Sequence, residues 1–147
     1  MSPREIRAEL LKQHVRIRAM IATTRAIAEA ARAGAPVGVD LRASLTHMGD
    51  ALRVHNLQEE ALLGGLIVSV DAWGSARAEI MSDEHVREHA RIQGALRGIS
   101  HTPVEFAGGG ICALLDAMIE HMDREETAFL GEDVLRDDIT VPDQSAG

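Results

Sequence analysis

The longest regular pattern in this sequence lies between residues 41 and 66, where side chains suited to one helix face recur in steps of four and three. The side chains in this pattern are Leu41, Leu45, Met48, Leu52, His55, Glu59, Leu62 and Leu66. Alternating steps of four and three keep side chains on one face of an α-helix, and such a stripe is typical of a helix packed in a bundle. The chain must therefore bury one face of a long helix, and that face includes a histidine and a glutamate.

Three further segments carry the same helical periodicity. Their stripes are Ile6, Leu10, His14, Ile17 and Ile21; His85, His89, Ile92, Leu96 and Ile99; and Ala107, Ile111, Leu114, Met118, His121, Glu125 and Ala128. Ser2-Pro3-Arg4-Glu5 and Thr102-Pro103-Val104-Glu105 predict two helix starts, because each has a capping residue, a first-position Pro and a Glu three residues after the cap. Ser82 and the acidic residues after it predict another start, and Gly34 followed by Pro36 predicts the end of the first helix.

Four amphipathic segments joined by short links predict an all-α protein, folded as an antiparallel up-down-up-down four-helix bundle. We expect the bundle to span residues 1–131 and a polar C-terminal tail to span residues 132–147. Residues 69–81 fit either a loop or a short helix, so their state stays open. The glycines at 108–110 cost helix stability, and we expect them to allow a close approach between helices.

Composition limits the classes of protein to consider. Of the 147 residues 46% are apolar, but the chain has only two Phe, one Trp and no Tyr, so its core must be aliphatic. The net charge of −8 argues against a nucleic-acid partner, which needs a basic face. The single cysteine, Cys112, excludes an intrachain disulfide and fits a reducing compartment. Without a membrane-length apolar run or a signal peptide, we expect a soluble, cytoplasmic protein with no membrane partner; the oligomeric state stays open.

The most informative residues are polar side chains that fall on the core-facing stripes. They are His14, His55, Glu59, His85, His89, His121 and Glu125. A stripe covers two or three of every seven helix positions, so about two or three of the seven histidines should fall there by chance, whereas five do. A single such histidine is usually an ordinary core residue, but that explanation would have to hold five times. His47 and His101 lie off the stripes, and we interpret them as ordinary surface residues.

The spacing of these residues indicates a metal site. Three pairs are four residues apart and therefore project from one helix face a turn apart: His55 with Glu59, His85 with His89, and His121 with Glu125. Imidazole nitrogens and carboxylate oxygens suit iron, zinc, manganese or copper. A buried carboxylate is costly without a partner, and seven groups suit two ions bridged by the carboxylates. Four nearby charged residues are predicted to form a solvated face or to surround the site: Glu60, Asp123, Arg124 and Glu126.

Other metal and phosphate motifs are absent from the sequence. Ferritin-like di-iron bundles use Glu-x-x-His, and no histidine here has an acidic residue three positions before it. The zinc-protease motif His-Glu-x-x-His is also absent, and so is a phosphate-binding loop ending in Lys-Ser or Lys-Thr, since Lys12 is the only lysine.

In their order along the chain, these motifs resemble the hemerythrin and hemerythrin-like (HHE) cation-binding family. That family has a single His, then His-x-x-x-Glu, then His-x-x-x-His, then a His followed by a carboxylate four or five residues later. The matching segments are His14, His55-Asn-Leu-Gln-Glu59, His85-Val-Arg-Glu-His89 and His121-Met-Asp-Arg-Glu125-Glu126. Oxygen-carrying members place an Asp five residues after the last His, where this chain has Glu126. The stripe favours Glu125 instead, as in the wider bacterial branch of the family.

The resemblance implies two iron ions in an oxo- or hydroxo-bridged di-iron centre. By that resemblance His85, His89 and His121 would bind one iron, His14 and His55 the other, and Glu59 and Glu125 would bridge them. The iron with two histidines would be one ligand short, which leaves an open position for dioxygen or another small diatomic or peroxide ligand.

The function that the resemblance implies is reversible binding or sensing of dioxygen at this non-haem di-iron centre. A first alternative is an oxidoreductase that acts on peroxide or nitric oxide at the same centre, which would need a proton donor nearby. A second alternative is a non-redox role in iron or zinc storage, or a structural metal. The sequence favours binding over catalysis but does not exclude either alternative.

Overall fold

The computed structural model describes residues 2–70, 81–101, 104–128 and 130–131, and within them the protein is all-helical with four α-helices and no strand. The helices are α1 (Pro3–Arg32), α2 (Gly38–Val70), α3 (Val86–Ser100) and α4 (Val104–Ala128). Helices α1 and α3 each pack against both α2 and α4, so the four helices enclose one interior. The prediction of an all-α helical bundle is confirmed. Residues 71–80 and the predicted tail at 132–147 lie outside the described residues.

Both ends of α1 form as the sequence predicts. At its start, Ser2 Oγ accepts from the Glu5 backbone N–H at 3.2 Å, and Glu5 Oε2 accepts from the Ser2 N–H at 2.7 Å, which completes a capping box. At its end, Gly34 has φ +92°, and the N–H groups of Gly34 and Ala35 donate to the Ala31 and Ala30 carbonyls. These bonds form a Schellman motif, which requires a residue in the left-handed region that glycine adopts at least cost.

The other helix ends differ from the predicted ones in places. Met81–His85 forms a π-helical turn, and α3 begins at Val86, so Ser82 lies within this turn and not directly before an α-helix. Helix α2 starts two residues before the predicted Asp40 and continues to Val70. Thr102 and Pro103, the predicted cap of the fourth helix, lie outside the described residues.

Gly109 and Gly110, near the start of α4, do not mark a close helix contact; the surroundings of Gly108 lie outside the described part of the chain. A Cβ atom added at Gly109 or Gly110 would have no neighbour within 4 Å. The expectation of close approach is therefore wrong at these two positions, and nothing in the structure explains why they are glycine.

The buried apolar side chains of the described residues form two clusters of unequal size. The large cluster is formed by Ile17, Ile21, Ala28, Leu41, Leu45, Met48, Leu52, Ile92, Leu96, Ile111, Leu114, Leu115, Met118 and Met122. The small cluster contains Ile6, Leu10, Leu63 and Leu130. Buried histidines and glutamates occupy the helix turns between the two clusters, so the polar residues form one layer with apolar packing on both sides.

No helix in the described part of the chain is long and apolar enough to cross a lipid bilayer.

Two glycines, one at the end of α1 and one inside α3, give a prediction about stability. Gly34→Ala should lower the free energy of unfolding by about 1–2 kcal/mol, because an L-residue is strained at positive φ. Gly94→Ala should instead raise it by about 0.5–1 kcal/mol, because Gly94 lies in the interior of α3 with open space where a Cβ would be. Urea denaturation of both variants measures the two changes, and changes of the same sign would contradict the assignment of the helix end.

Candidate metal centre

All seven histidines and glutamates that the sequence places on the stripes are buried, and none exposes more than 7% of its surface. Each helix contributes to the set: His14 lies on α1, the pair His55 and Glu59 on α2, and the pair His121 and Glu125 on α4. His85 ends the π-helical turn and His89 lies in the first turns of α3. The structure therefore brings together side chains that are up to 111 residues apart in sequence (His14 to Glu125).

The side chains form two groups, and within each group the possible ligand atoms all lie within 4.8 Å of one another. The first group contains His85, His89, His121 and Glu125. Oε1 of Glu125 lies 2.8 Å from Nε2 of His85, 3.3 Å from Nε2 of His89 and in close contact with Nε2 of His121. Three imidazoles thus converge on one carboxylate oxygen.

The second group contains His14, His55, Glu59 and again Glu125. Nε2 of His55 lies 2.8 Å from Oε2 of Glu59, and Nε2 of His14 lies 3.0 Å from Oε2 of Glu125. The two imidazole Nε2 atoms are 3.1 Å apart. This side of the layer has two imidazoles where the other side has three.

Both carboxylates reach across the layer, with one oxygen on each side. Glu59 places Oε2 beside His55 and Oε1 2.9 Å from Nε2 of His85. Glu125 places Oε2 beside His14 and Oε1 among the three imidazoles of the first group. A carboxylate with one oxygen in each of two donor groups has the geometry of a bridge between two cations.

The contacts within this layer are close but are not all hydrogen bonds. Both oxygens of Glu59, Oε2 of Glu125 and Nε2 of His121 are buried and lack a hydrogen-bond partner of acceptable geometry. A buried polar atom without a partner is costly, whereas a cation placed among nitrogen and oxygen lone pairs would satisfy several at once. The residues present therefore fit a metal site, and the nitrogen and oxygen donors suit iron, zinc, manganese or copper.

The outer nitrogens of four histidines contact a second set of polar side chains. Nδ1 of His14 lies 2.9 Å from Oε1 of Glu126, and Nδ1 of His55 lies 2.9 Å from Oε1 of Gln13. Nδ1 of His89 lies 2.7 Å from Oε1 of Glu60, and Nδ1 of His121 lies 3.3 Å from Oε1 of Glu88. An acceptor beside Nδ1 keeps the proton on that nitrogen, so the Nε2 lone pair is free to point into the layer. These contacts orient four imidazoles for binding a cation.

The predictions for the residues around the site have mixed outcomes. Glu60 and Glu126 contact imidazoles, and Arg18 holds Glu126 at 2.5 Å and Asp123 at 2.7 Å. The sequence did not single out Gln13 or Glu88. The partners of both residues, His55 for Gln13 and His121 for Glu88, lie on other helices, so no spacing rule within one segment predicts these contacts.

The two histidines interpreted as ordinary surface residues, His47 and His101, are exposed, and neither belongs to the two groups found among the described residues. Cys112 is a partly buried free thiol on α4.

Burial and ion pairing act on the pKa values of the layer in opposite directions. Burial disfavours the charged imidazolium of His14, but its contacts with the carboxylates of Glu125, Glu59 and Glu126 outweigh burial and raise the pKa to about 10. The same balance raises the pKa of His85 to about 9. Burial raises the pKa of Glu59, but the contacts of its carboxylate with the imidazoles of His14, His55 and His85 lower the pKa overall to about 2. In the metal-free protein at neutral pH, positive charge on imidazoles thus compensates the carboxylates.

These pKa values predict proton release when a metal binds. His14 and His85 hold protons at neutral pH, and a metal ligand must be deprotonated. At about pH 7.5, Zn²⁺ binding should therefore release about two protons per chain, and the apparent affinity should rise with pH until about pH 9–10. Calorimetric titration in buffers of different ionisation enthalpy measures both. An affinity that stays constant between about pH 7 and pH 9 would contradict this prediction, because imidazoles with the ordinary pKa of about 6.5 would behave that way.

Comparison with known proteins gives one match. The chain matches the family model described as Hemerythrin HHE cation binding domain over residues 5–132. This span includes all seven buried histidines and glutamates of the layer. No curated protein and no solved structure matches the chain.

Proposed function

Because the chain belongs to the hemerythrin HHE cation-binding family, we propose that it is a non-haem di-iron protein that binds or senses dioxygen or a related small ligand. The observation that carries the proposal is the pair of buried carboxylates, Glu59 and Glu125, each with one oxygen in either donor group. A single ion would need only one group, whereas two groups that share Glu125 and are both contacted by Glu59 suit two ions.

In this proposal the ligands divide between the two ions as the donor groups divide. His85, His89 and His121 hold one iron, His14 and His55 hold the other, and Glu59 and Glu125 bridge them. The lower exposure of Glu125, 1% against 30% for the Glu126 side chain, supports Glu125 as the bridge. Glu126 instead contacts Nδ1 of His14 and Arg18.

When bound, two irons would supply the electrons and the open coordination position that a small oxidising ligand requires. The protein's own residues would set the surroundings. Leu52, Ile92 and Met118 each lie three residues from a proposed ligand and belong to the large apolar cluster, so they lie one helix turn from the layer. Apolar side chains beside the polar layer exclude water and so protect a bound ligand from exchange with solvent.

A groove between α1 and α2 gives a small molecule an approach to the side with two histidines. The groove has a volume of about 430 Å³. Its lining includes Ile17, Met20, Ala51, Val54 and His55. Because His55 belongs to the proposed iron position that is one ligand short, the groove supports ligand binding at that position.

The antiparallel up-down-up-down arrangement is part of the proposal, because it brings the ligands of four helices to one level. Three contacts support it. The start of α1 and the end of α2 meet in the small cluster through Ile6 and Leu63. Near the other end of α1, Thr24 hydrogen-bonds Ser44 early in α2 at 2.6 Å. Arg7 donates to the Leu130 carbonyl at 2.6 Å, so α4 also ends near the start of α1.

Metal content and spectroscopy test the proposed function. Protein purified without oxygen should contain two irons per chain, and exposure to dioxygen should produce a charge-transfer absorption band that disappears when oxygen is removed. His121→Ala should lower the iron content and the melting temperature, because it removes a ligand and leaves a cavity. His101→Ala is the control, since His101 is exposed in the turn after α3, and it should leave both unchanged.

Other results would favour the alternatives. Zinc as the sole metal, with no oxygen-dependent band, would contradict the proposal and favour a structural or storage role. Turnover of peroxide or nitric oxide that survives removal of free iron and disappears in His55→Ala would favour an oxidoreductase.

The groove gives a separate kinetic prediction. Ala51→Phe should fill part of the groove and lower the association rate of dioxygen by about tenfold, while iron content stays the same. Ala113→Phe is the matched control, because Ala113 is exposed on α4 away from the groove. Stopped-flow absorbance measures both rates, and equal slowing by the two substitutions would exclude the groove as the approach.

A further inference from the structure

His55 differs from His14, His89 and His121 in the partner of its outer nitrogen. Its Nδ1 lies 2.9 Å from Oε1 of Gln13, which is a neutral amide. The three other outer contacts described above are all with carboxylates. Within these four contacts, His55 is therefore the imidazole with an uncharged acceptor.

The hydrogen bonds of Gln13 fix the orientation of its amide. Its Nε2 donates to Oε1 of Gln58 at 2.6 Å and to Oε1 of Glu9 at 3.1 Å. Because both amide protons have acceptors, the amide oxygen is left for His55. Nδ1 of His55 must then be the donor, and its Nε2 lone pair points toward Glu59 and the layer.

The charge of the outer acceptor affects how strongly an imidazole donates to a metal. A carboxylate that accepts a strong hydrogen bond from Nδ1–H makes Nε2 more basic. Such outer partners commonly change metal affinity by about 10–100-fold. A neutral amide favours the same tautomer but accepts a weaker hydrogen bond, so it raises the basicity of Nε2 less. Compared with His14, His89 and His121, His55 is thus expected to be equally well oriented but to donate more weakly to a metal.

We propose that Gln13 is a positioning residue that makes the two metal positions unequal, by orienting His55 for the His14–His55 position while leaving it a weaker donor. This inference rests on the proposed function only in requiring two metal ions at the site. Gln13 also lines the groove between α1 and α2 together with His55, so the more weakly held metal is the one that faces the approach.

A charge-preserving exchange tests the proposal. In the double variant Glu9→Gln/Gln13→Glu, a carboxylate faces Nδ1 of His55, and the new glutamine one turn earlier can still donate to it. Anaerobic titration with Co²⁺ against a competing chelator should give two unequal dissociation constants for the unmodified protein. The exchange should lower the larger constant about tenfold and leave the smaller one unchanged. Glu9→Gln alone measures the effect of the lost surface charge and should not lower either constant.

Two further variants separate positioning from packing. Gln13→Met keeps the volume of the side chain but offers no comparable acceptor, so it should raise the larger constant about tenfold. Glu60→Gln makes the outer partner of His89 neutral and should raise the smaller constant instead, because His89 belongs to the group of three histidines. A role limited to packing would not give opposite effects for the exchange and Gln13→Met.

The outcomes are distinguishable from failure of the proposed function. If two Co²⁺ bind but the constants of the exchange and of Gln13→Met equal those of the unmodified protein, or shift in the same direction, the inference about Gln13 is wrong and the two-metal site stands. Binding of a single Co²⁺ per chain would overturn the two-metal proposal and this inference with it.

Discussion

The burial of Glu59 and Glu125 is the constraint on which the rest of this structure depends. Two carboxylates a few ångströms apart, both almost fully buried, cannot remain in an apolar interior without positive charge beside them. His14 and His85, whose pKa values are raised, supply that charge as protons, or the imidazoles supply lone pairs to cations that replace the protons. Each helix has to contribute to this layer, so the layer also fixes the relative positions of the helices.

Charge is arranged in shells around the two carboxylates. The imidazoles surround them, and Glu60, Glu88 and Glu126 contact imidazole nitrogens from outside. Arginines then pair with that outer shell, as Arg18 does with Glu126 and Arg124 with Glu88. Such exposed pairs contribute little stability individually, but here each one holds an acceptor that orients a histidine. Much of the acidic excess of the sequence near the site therefore serves the imidazoles.

The sequence predicts features that are determined within a single helix. It does not predict contacts that depend on how two helices are aligned. The capping box at Ser2 and the helix end at Gly34 follow from local hydrogen bonding and are confirmed. The helical stripes select the seven side chains that the structure brings together, because a period of 3.6 residues decides which face is buried. The contact between Gln13 and His55 depends on how α1 and α2 are aligned, which no spacing within one segment reveals. The π-helical turn before α3 likewise has no local sequence signal.

The division of the apolar interior has a consequence for how the molecule opens. The small cluster holds four residues, Ile6, Leu10, Leu63 and Leu130, and the polar layer separates it from the large cluster. Among the residues that the structure describes, this end has fewer buried apolar side chains than the opposite end, and few such contacts mean a low free energy of local opening, so this end should exchange its amide hydrogens sooner. Opening there would uncover the layer without unfolding the large cluster. The bundle thus provides a route for loading or losing cations that does not require the whole chain to unfold.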